Sequence, residues 1–341
     1  MLQSAAAGLS SSSSQPPEWF VEPASSCSVL KEDWRARARQ QRSKPFTVGS
    51  VMQREDTCSS HVPLALWTQA AQSQRDYLMH AEQLVGRLLR TVAHRAPLLY
   101  FVGDSVQWSS LRAFRCWLEA GGCLRADTTD PDYAKRYDIV REEWNCSTGA
   151  LLVDFSYRGR WLEAIEAVEE HTRTDMEEST IIFGVSGAHY HVEWKELYER
   201  DMAEFARWLP RWVRNGTRPR HAIVRDPSPQ HFPYSADGTF HGSKTINKES
   251  NATQCCARAD RNPDWRSIAF DRTLAAVLGR SRYVRILKSY VQADALWFGH
   301  PAESALLHRL IGRAGAVDCT HFCYSANHLL NAGLVETLLS R

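Results

Sequence analysis

The chain has 341 residues, of which 43% are hydrophobic and 23% charged, and its formal net charge is +2. This is an ordinary globular composition, and the charge is too small to argue for nucleic acid or an anionic membrane surface as a partner. No uninterrupted apolar run approaches the roughly 18 residues that a membrane-spanning helix needs, so the sequence offers no transmembrane segment.

Residues 1–60 read as a low-complexity or poorly ordered tail. Ser10 to Ser14 is a serine run, Pro16 and Pro17 follow, and residues 31–44 are mostly polar and basic. Such segments bury too little apolar area to offset chain entropy. Trp19, Phe20 and Trp34 are exceptions suited to docking on the main domain. The first residues lack both the basic n-region and the long apolar h-region of a signal peptide.

Residues 61–341 read as one globular domain. The pattern over 64–94 predicts an amphipathic helix, with Leu78, Leu84, Val85, Leu88 and Leu89 as its apolar stripe. After Pro97, Leu98 to Val102 is a buried strand ending at Gly103. A helix over 109–120 stops at Gly121-Gly122. Further buried strands are predicted at Ala150–Phe155, Thr180–Phe183, His221–Val224 and Tyr283–Leu287. The helical patterns are 161–170, 191–213, 267–279 and a closing helix from Leu329, and residues 230–265 read as a long loop. Strands alternating with helices predict an α/β fold: a three-layer parallel sheet with helices on both faces. In such sheets ligands bind at the carboxyl ends of the strands.

That rule singles out Ser105, in Gly103-Asp104-Ser105, just past the first buried strand. A hydroxyl there is presented on the active edge, and a backbone N–H at a helix start suits an oxyanion. Asp104 is expected to brace the loop. The plainer alternative is that Ser105 is a helix N-cap. Near the other end, Asp318-Cys319-Thr320-His321 places an acid and an imidazole three residues apart, on one side of a turn. A serine nucleophile needs a base and the base an orienting acid, which Ser105, His321 and Asp318 supply. A metal reading competes, because Cys319, His321 and Cys323 are close-spaced soft ligands with Cys255-Cys256 elsewhere. The spacing fits a structural zinc knuckle only loosely, and disulfides that pin the loop are the better use of Cys319 and Cys323.

Nine cysteines, and sequons at Asn145, Asn215 and Asn251, suit an oxidising compartment. Twelve Trp and eleven Tyr suit carbohydrate clefts, although such rings also fill cores.

Gly103-Asp104-Ser105 together with Asp318-Cys319-Thr320-His321-Phe322-Cys323 resembles the trichome birefringence-like proteins and the wider PC-esterase group of the SGNH/GDSL hydrolase-like superfamily. Two internal blocks extend the likeness. Ile181 to Tyr190 looks like the family's strand ending in Asn-x-Gly-His-Trp, and Arg225 to Phe232 looks like its Arg-x-x-Ser-Pro-x-His-Phe block. The resemblance implies O-acetyl transfer to polysaccharide or glycan hydroxyls through an acetyl-serine. Ser105 would be the nucleophile, His321 the base and Asp318 the orienting acid. Ser105 N–H and the Gly187 backbone would serve the oxyanion, and Arg225 and His231 would line the cleft with His189 beside it. It implies no cofactor beyond an acyl donor such as acetyl-CoA or another acetyl carrier, no metal, a secretory-pathway location in the Golgi lumen, and a membrane anchor outside this chain. An esterase and a non-catalytic glycan-binding relative are the alternatives. The chain departs from the family pattern in two places. Gly184 or Val185 stands where the family has Asn, removing a side-chain oxyanion donor, and Phe322 stands where it has Trp.

Overall fold

The computed structural model describes residues 98–120, 122–126, 139–146, 149–175, 179–215, 220–232, 263–275, 278, 281–295, 300, 319–322 and 324–340. The N-terminal tail, the helix predicted over 64–94, Asp318, Cys323, Cys255-Cys256 and the Asn251 sequon lie outside them.

Leu98–Gly103 forms the central strand, β1, and every residue in it is buried. A continuous apolar run is what a strand covered on both faces requires. β4 (Gly149–Tyr157) and β5 (Ser179–Gly184) flank β1, both parallel to it; β6 (His221–Arg225) and β7 (Val284–Leu287) extend the sheet beyond β5, also parallel. On the other side β3 (Ile139–Cys146) pairs antiparallel with β4, and β2 (Leu124–Ala126) pairs antiparallel with β3. The seven strands run in the order β2-β3-β4-β1-β5-β6-β7. The sheet is therefore mixed, mostly parallel, rather than the wholly parallel sheet expected from sequence.

The difference has a local cause. β3 carries Arg141, Glu142 and Glu143 and does not read as a strand. Glu142 is nevertheless buried, because Arg115 and Arg125 both pair with its carboxylate at 2.8 and 3.1 Å. The disulfide Cys123–Cys146 then ties the outer hairpin together.

Alternate residues of the strands feed two cores. Tyr100, Val102, Ile181, Phe183, Ala222 and Val224 face α2 (Trp161–Asp175) and α3 (Lys195–Arg214), which bring Trp161, Val168, Phe205 and Leu209. Leu99, Phe101, Ile182 and Ile223 face α1 (Ser105–Ala120) and α6 (Tyr324–Leu339), which bring Phe114, Trp117, Leu334 and Leu338. α4 (Trp265–Phe270), capped by the Asp264 carboxylate and running into a π-type turn at Asp271–Ala275, adds Ala269 and Phe270 to the first core, and the short α5 (Tyr290–Ala295) follows β7. Helices cover both faces of the sheet. Among the described residues, no helix is long and apolar enough to cross a membrane.

Candidate active site

The parallel strands end on one edge, at Gly103, Tyr157, Gly184, Arg225 and Leu287. Gly103 and Gly184 sit in register there. A Cβ on Gly103 would overlap the Gly184 carbonyl, and one on Gly184 would overlap the Gln107 side chain. The two glycines let β1 and β5 approach closely under the first turn of α1.

Ser105 is the first residue of α1. The N–H groups of a first turn have no carbonyl four residues back to bind, so they face outward from the edge. Asp104, fully buried, is the brace. Its Oδ1 accepts from Val106 N at 3.0 Å, and its Oδ2 accepts from Ser186 N at 2.8 Å and Ser186 Oγ at 2.6 Å. One carboxylate thus locks the loop after β1 to the loop after β5. Ser186 Oγ in turn accepts from Ala188 N at 3.2 Å, and Gly187 between them takes φ +81°, a left-handed conformation suited to glycine. The Gly187 amide is brought to the same edge as Ser105.

Tyr157 ends β4 directly opposite Gly103. Its hydroxyl lies 3.0 Å from His189 Nε2, and Gly159 leaves room for the His189 ring, whose Cγ would meet a Cβ there at 3.1 Å. Desolvation, with help from the Asp104 carboxylate, pushes the Tyr157 phenol well above its ordinary value, while a side-chain hydrogen bond with Ser105 works against the shift. The group remains an O–H donor beside the serine at any physiological pH. Nothing in the local sequence marks Tyr157, which is simply the last residue of an apolar strand.

The chain matches no protein-family model and no curated protein.

His321 lies in the short segment before α6 and is largely buried. Helices α1 and α6 pack side by side: Ser110 and Asn331 bond through their side chains, and Asn331 Nδ2 donates to Ser110 O at 2.7 Å. Further along, Phe114, Trp117 and Leu118 share a core with Leu334, Val335 and Leu338. The two helices therefore run in the same direction, and Ser105 and His321 both lie at their N-terminal ends, on the strands' carboxyl edge. No hydrogen bond joins Ser105 to His321.

The segment 319–322 is held from one block of sequence. Gln230 Nε2 donates to Thr320 Oγ1 at 2.9 Å, and His231 N donates to Cys319 O at 3.0 Å. His231 also reaches His321 O through His300, with links of 2.7 and 2.5 Å. From the other side Asn327 Nδ2 donates to Phe322 O at 2.6 Å, and Cys319 is disulfide-bonded. That bond removes the Cys319 thiolate from the soft-ligand set considered from sequence.

Arg225 and His231, assigned to the cleft lining from sequence, are both buried and bonded to protein groups. Arg225 Nη1 donates to Ser110 Oγ at 2.9 Å and Nε to Ser289 Oγ at 3.3 Å, tying β6 to α1. Burial pushes its guanidinium below the ordinary value, and Asp226 and Asp104 oppose that shift. Asp226 accepts from Ser289 N, Ser289 Oγ and Tyr290 N. These residues hold the walls of the site. His189, by contrast, is exposed.

Proposed function

We propose that this protein transfers acyl groups through Ser105, with a glycan hydroxyl as the acceptor. The observation that carries the reading is that Ser105 and His321 stand at the N-terminal ends of two packed, parallel helices on the carboxyl edge of the sheet. In this reading the fold is of the three-layer SGNH/GDSL hydrolase-like type. Asp318 would orient His321.

His321 takes the Ser105 proton as Oγ attacks the carbonyl of an acyl donor, acetyl-CoA or another acetyl carrier. The tetrahedral oxyanion is held by Ser105 N–H and Gly187 N–H. The Tyr157 hydroxyl supplies the side-chain donor that Gly184 and Val185 cannot. The intermediate collapses to acyl-Ser105, and the leaving group departs with the proton from His321. A sugar hydroxyl then gives its proton to His321 and attacks the acyl-serine, and the departing Ser105 Oγ takes that proton back from His321. Water in place of the sugar makes the same site an esterase.

The acceptor class is supported by Trp194, five residues past His189. Trp194 is 39% exposed, with the Arg160 guanidinium 5.6 Å from its ring centroid. Exposed aromatic rings of this kind stack against sugar faces. A Golgi-lumen setting is supported by the Cys123–Cys146 disulfide and by the exposure of the sequon residues Asn145 and Asn215.

Incubation with p-nitrophenyl acetate, with and without an oligosaccharide, tests the reading: acetylated sugar marks a transferase and free acetate alone an esterase. Gly184 and Val185, which offer no side-chain donor to an oxyanion, favour a second reading, a non-catalytic glycan-binding protein, and turnover decides between the two.

A further inference from the structure

Three hydrogen bonds run in series beneath the His321 segment. His300 Nδ1 lies 2.5 Å from His321 O, His300 Nε2 lies 2.7 Å from His231 Nδ1, and His231 Nε2 lies 3.3 Å from Asp294 Oδ1. The series ends on two acceptors, a carbonyl and a carboxylate. A neutral imidazole carries one N–H and one lone pair. From the carbonyl end, His300 Nδ1 donates, so a neutral His300 offers a lone pair at Nε2. His231 Nδ1 must then donate, and a neutral His231 would turn its remaining lone pair on the Asp294 carboxylate. From the carboxylate end, the same bookkeeping sets a lone pair of His300 against the His321 carbonyl. Three links need three protons, and two neutral rings bring two.

We propose that the His231–His300 pair holds one extra proton, balanced by Asp294, and that this proton fastens the backbone segment carrying His321. The rings are 0% and 1% exposed. A charge so placed persists only when it is paired, and Asp294, 27% exposed at its side chain, supplies the partner from α5. Among the described residues, the titratable groups facing the rings are Asp294 and, through its carbonyl, His321. Phe322 stacks on His300 at 4.8 Å and closes the apolar side. The fastening holds while the proton is bound. As pH rises and the proton leaves, one link sets acceptor against acceptor and opens. His231, His300 and Asp294 are positioning residues, since they touch the backbone of His321 and not a substrate. The catalytic consequence rests on the acyl-transfer reading; the proton count does not.

The test is nitrogen-15 NMR of the full chain labelled at histidine, with H231Q and H300Q assigning the two rings. The pair is expected to show three ring protons at neutral pH and to lose one as pH is raised. Hydrogen exchange at the backbone amides of 319–322, followed by mass spectrometry, accelerates roughly tenfold over the same interval, as loss of one hydrogen bond requires. D294N, which keeps the site polar, moves both changes down by about 1 pH unit or more. Two singly protonated rings at all pH values overturn the proposal, and so does exchange in 319–322 that ignores the loss of the proton. Labelling of Ser105 by a fluorophosphonate is a separate arm. If it is insensitive to the step while NMR and exchange behave as expected, the proton lock stands and His321 is not the base.

Discussion

Asp104→Asn changes no volume and removes one charge from the brace between the two loops. The carboxylate accepts three hydrogen bonds, one from Val106 N and two from Ser186. An amide has one oxygen. Turned toward Ser186 it keeps the two bonds there and sets its NH₂ against the Val106 N–H; turned the other way it loses both. In the better orientation the Val106 donor is left buried and unsatisfied, at about 1–3 kcal/mol. The two retained bonds fall from charge-assisted to neutral, at about 0.5–1 kcal/mol each. The sum is about 3 kcal/mol, and the buried Arg225 guanidinium also loses one of its two supporting charges. Urea unfolding followed by circular dichroism should give a midpoint lowered accordingly, with an unchanged slope. Fluorophosphonate labelling of Ser105 should slow with it, because the Ser105 and Gly187 amides are no longer fixed relative to each other. A variant within about 1 kcal/mol of the wild type would refute the role of Asp104 as the brace.

Tyr157→Phe keeps the ring and removes the hydroxyl beside Ser105, and should lower kcat for p-nitrophenyl acetate about a hundredfold with little change in KM. Trp194→Ala should raise KM for an oligosaccharide acceptor while leaving ester cleavage in its absence unchanged, as steady-state kinetics with varied acceptor will show. Serine at both Cys123 and Cys146, which are 23 residues apart, should cost about 3 kcal/mol in chemical denaturation from the restored loop entropy. Burial raises the Asp226 carboxyl above 3.8 despite its three donors, so its protonated form is favoured in the folded state. Its contribution to stability is present below pH 3.8 and lost as pH rises through the folded value. Wild-type stability should therefore fall relative to Asp226→Asn over that interval in pH-dependent urea titrations.

The parallel strands were legible because a strand buried on both faces must be apolar along its length. The outer hairpin was not, since Glu142 is tolerable inside only where Arg115 and Arg125 reach it from α1 and β2. Helix α1 starts at Ser105 rather than at residue 109, and α6 at Tyr324 rather than Leu329. Both first turns carry buried polar side chains whose partners lie outside the helix, Gln107 at Ile182 O and Asn327 at Phe322 O. Helix α4 likewise begins at Trp265, not 267, because Asp264 caps it. Ser105 could be found from the end of its strand. Tyr157 and His300 could not, because their partners His189 and His231 are 32 and 69 residues away and no local spacing announces them. The block from Arg225 to His231 could be seen as a motif, but its task, holding the core and the His321 segment, is visible only in three dimensions.

In the proposed reaction Ser105 carries the acyl group. Acid-quenching the full chain during turnover of p-nitrophenyl acetate, then mapping its peptides by mass, tests this most directly. One acetyl group is expected on Ser105, absent from Ser105→Ala and depleted when an oligosaccharide acceptor is added. An unmodified Ser105, with p-nitrophenol release no faster than from Ser105→Ala, would contradict it.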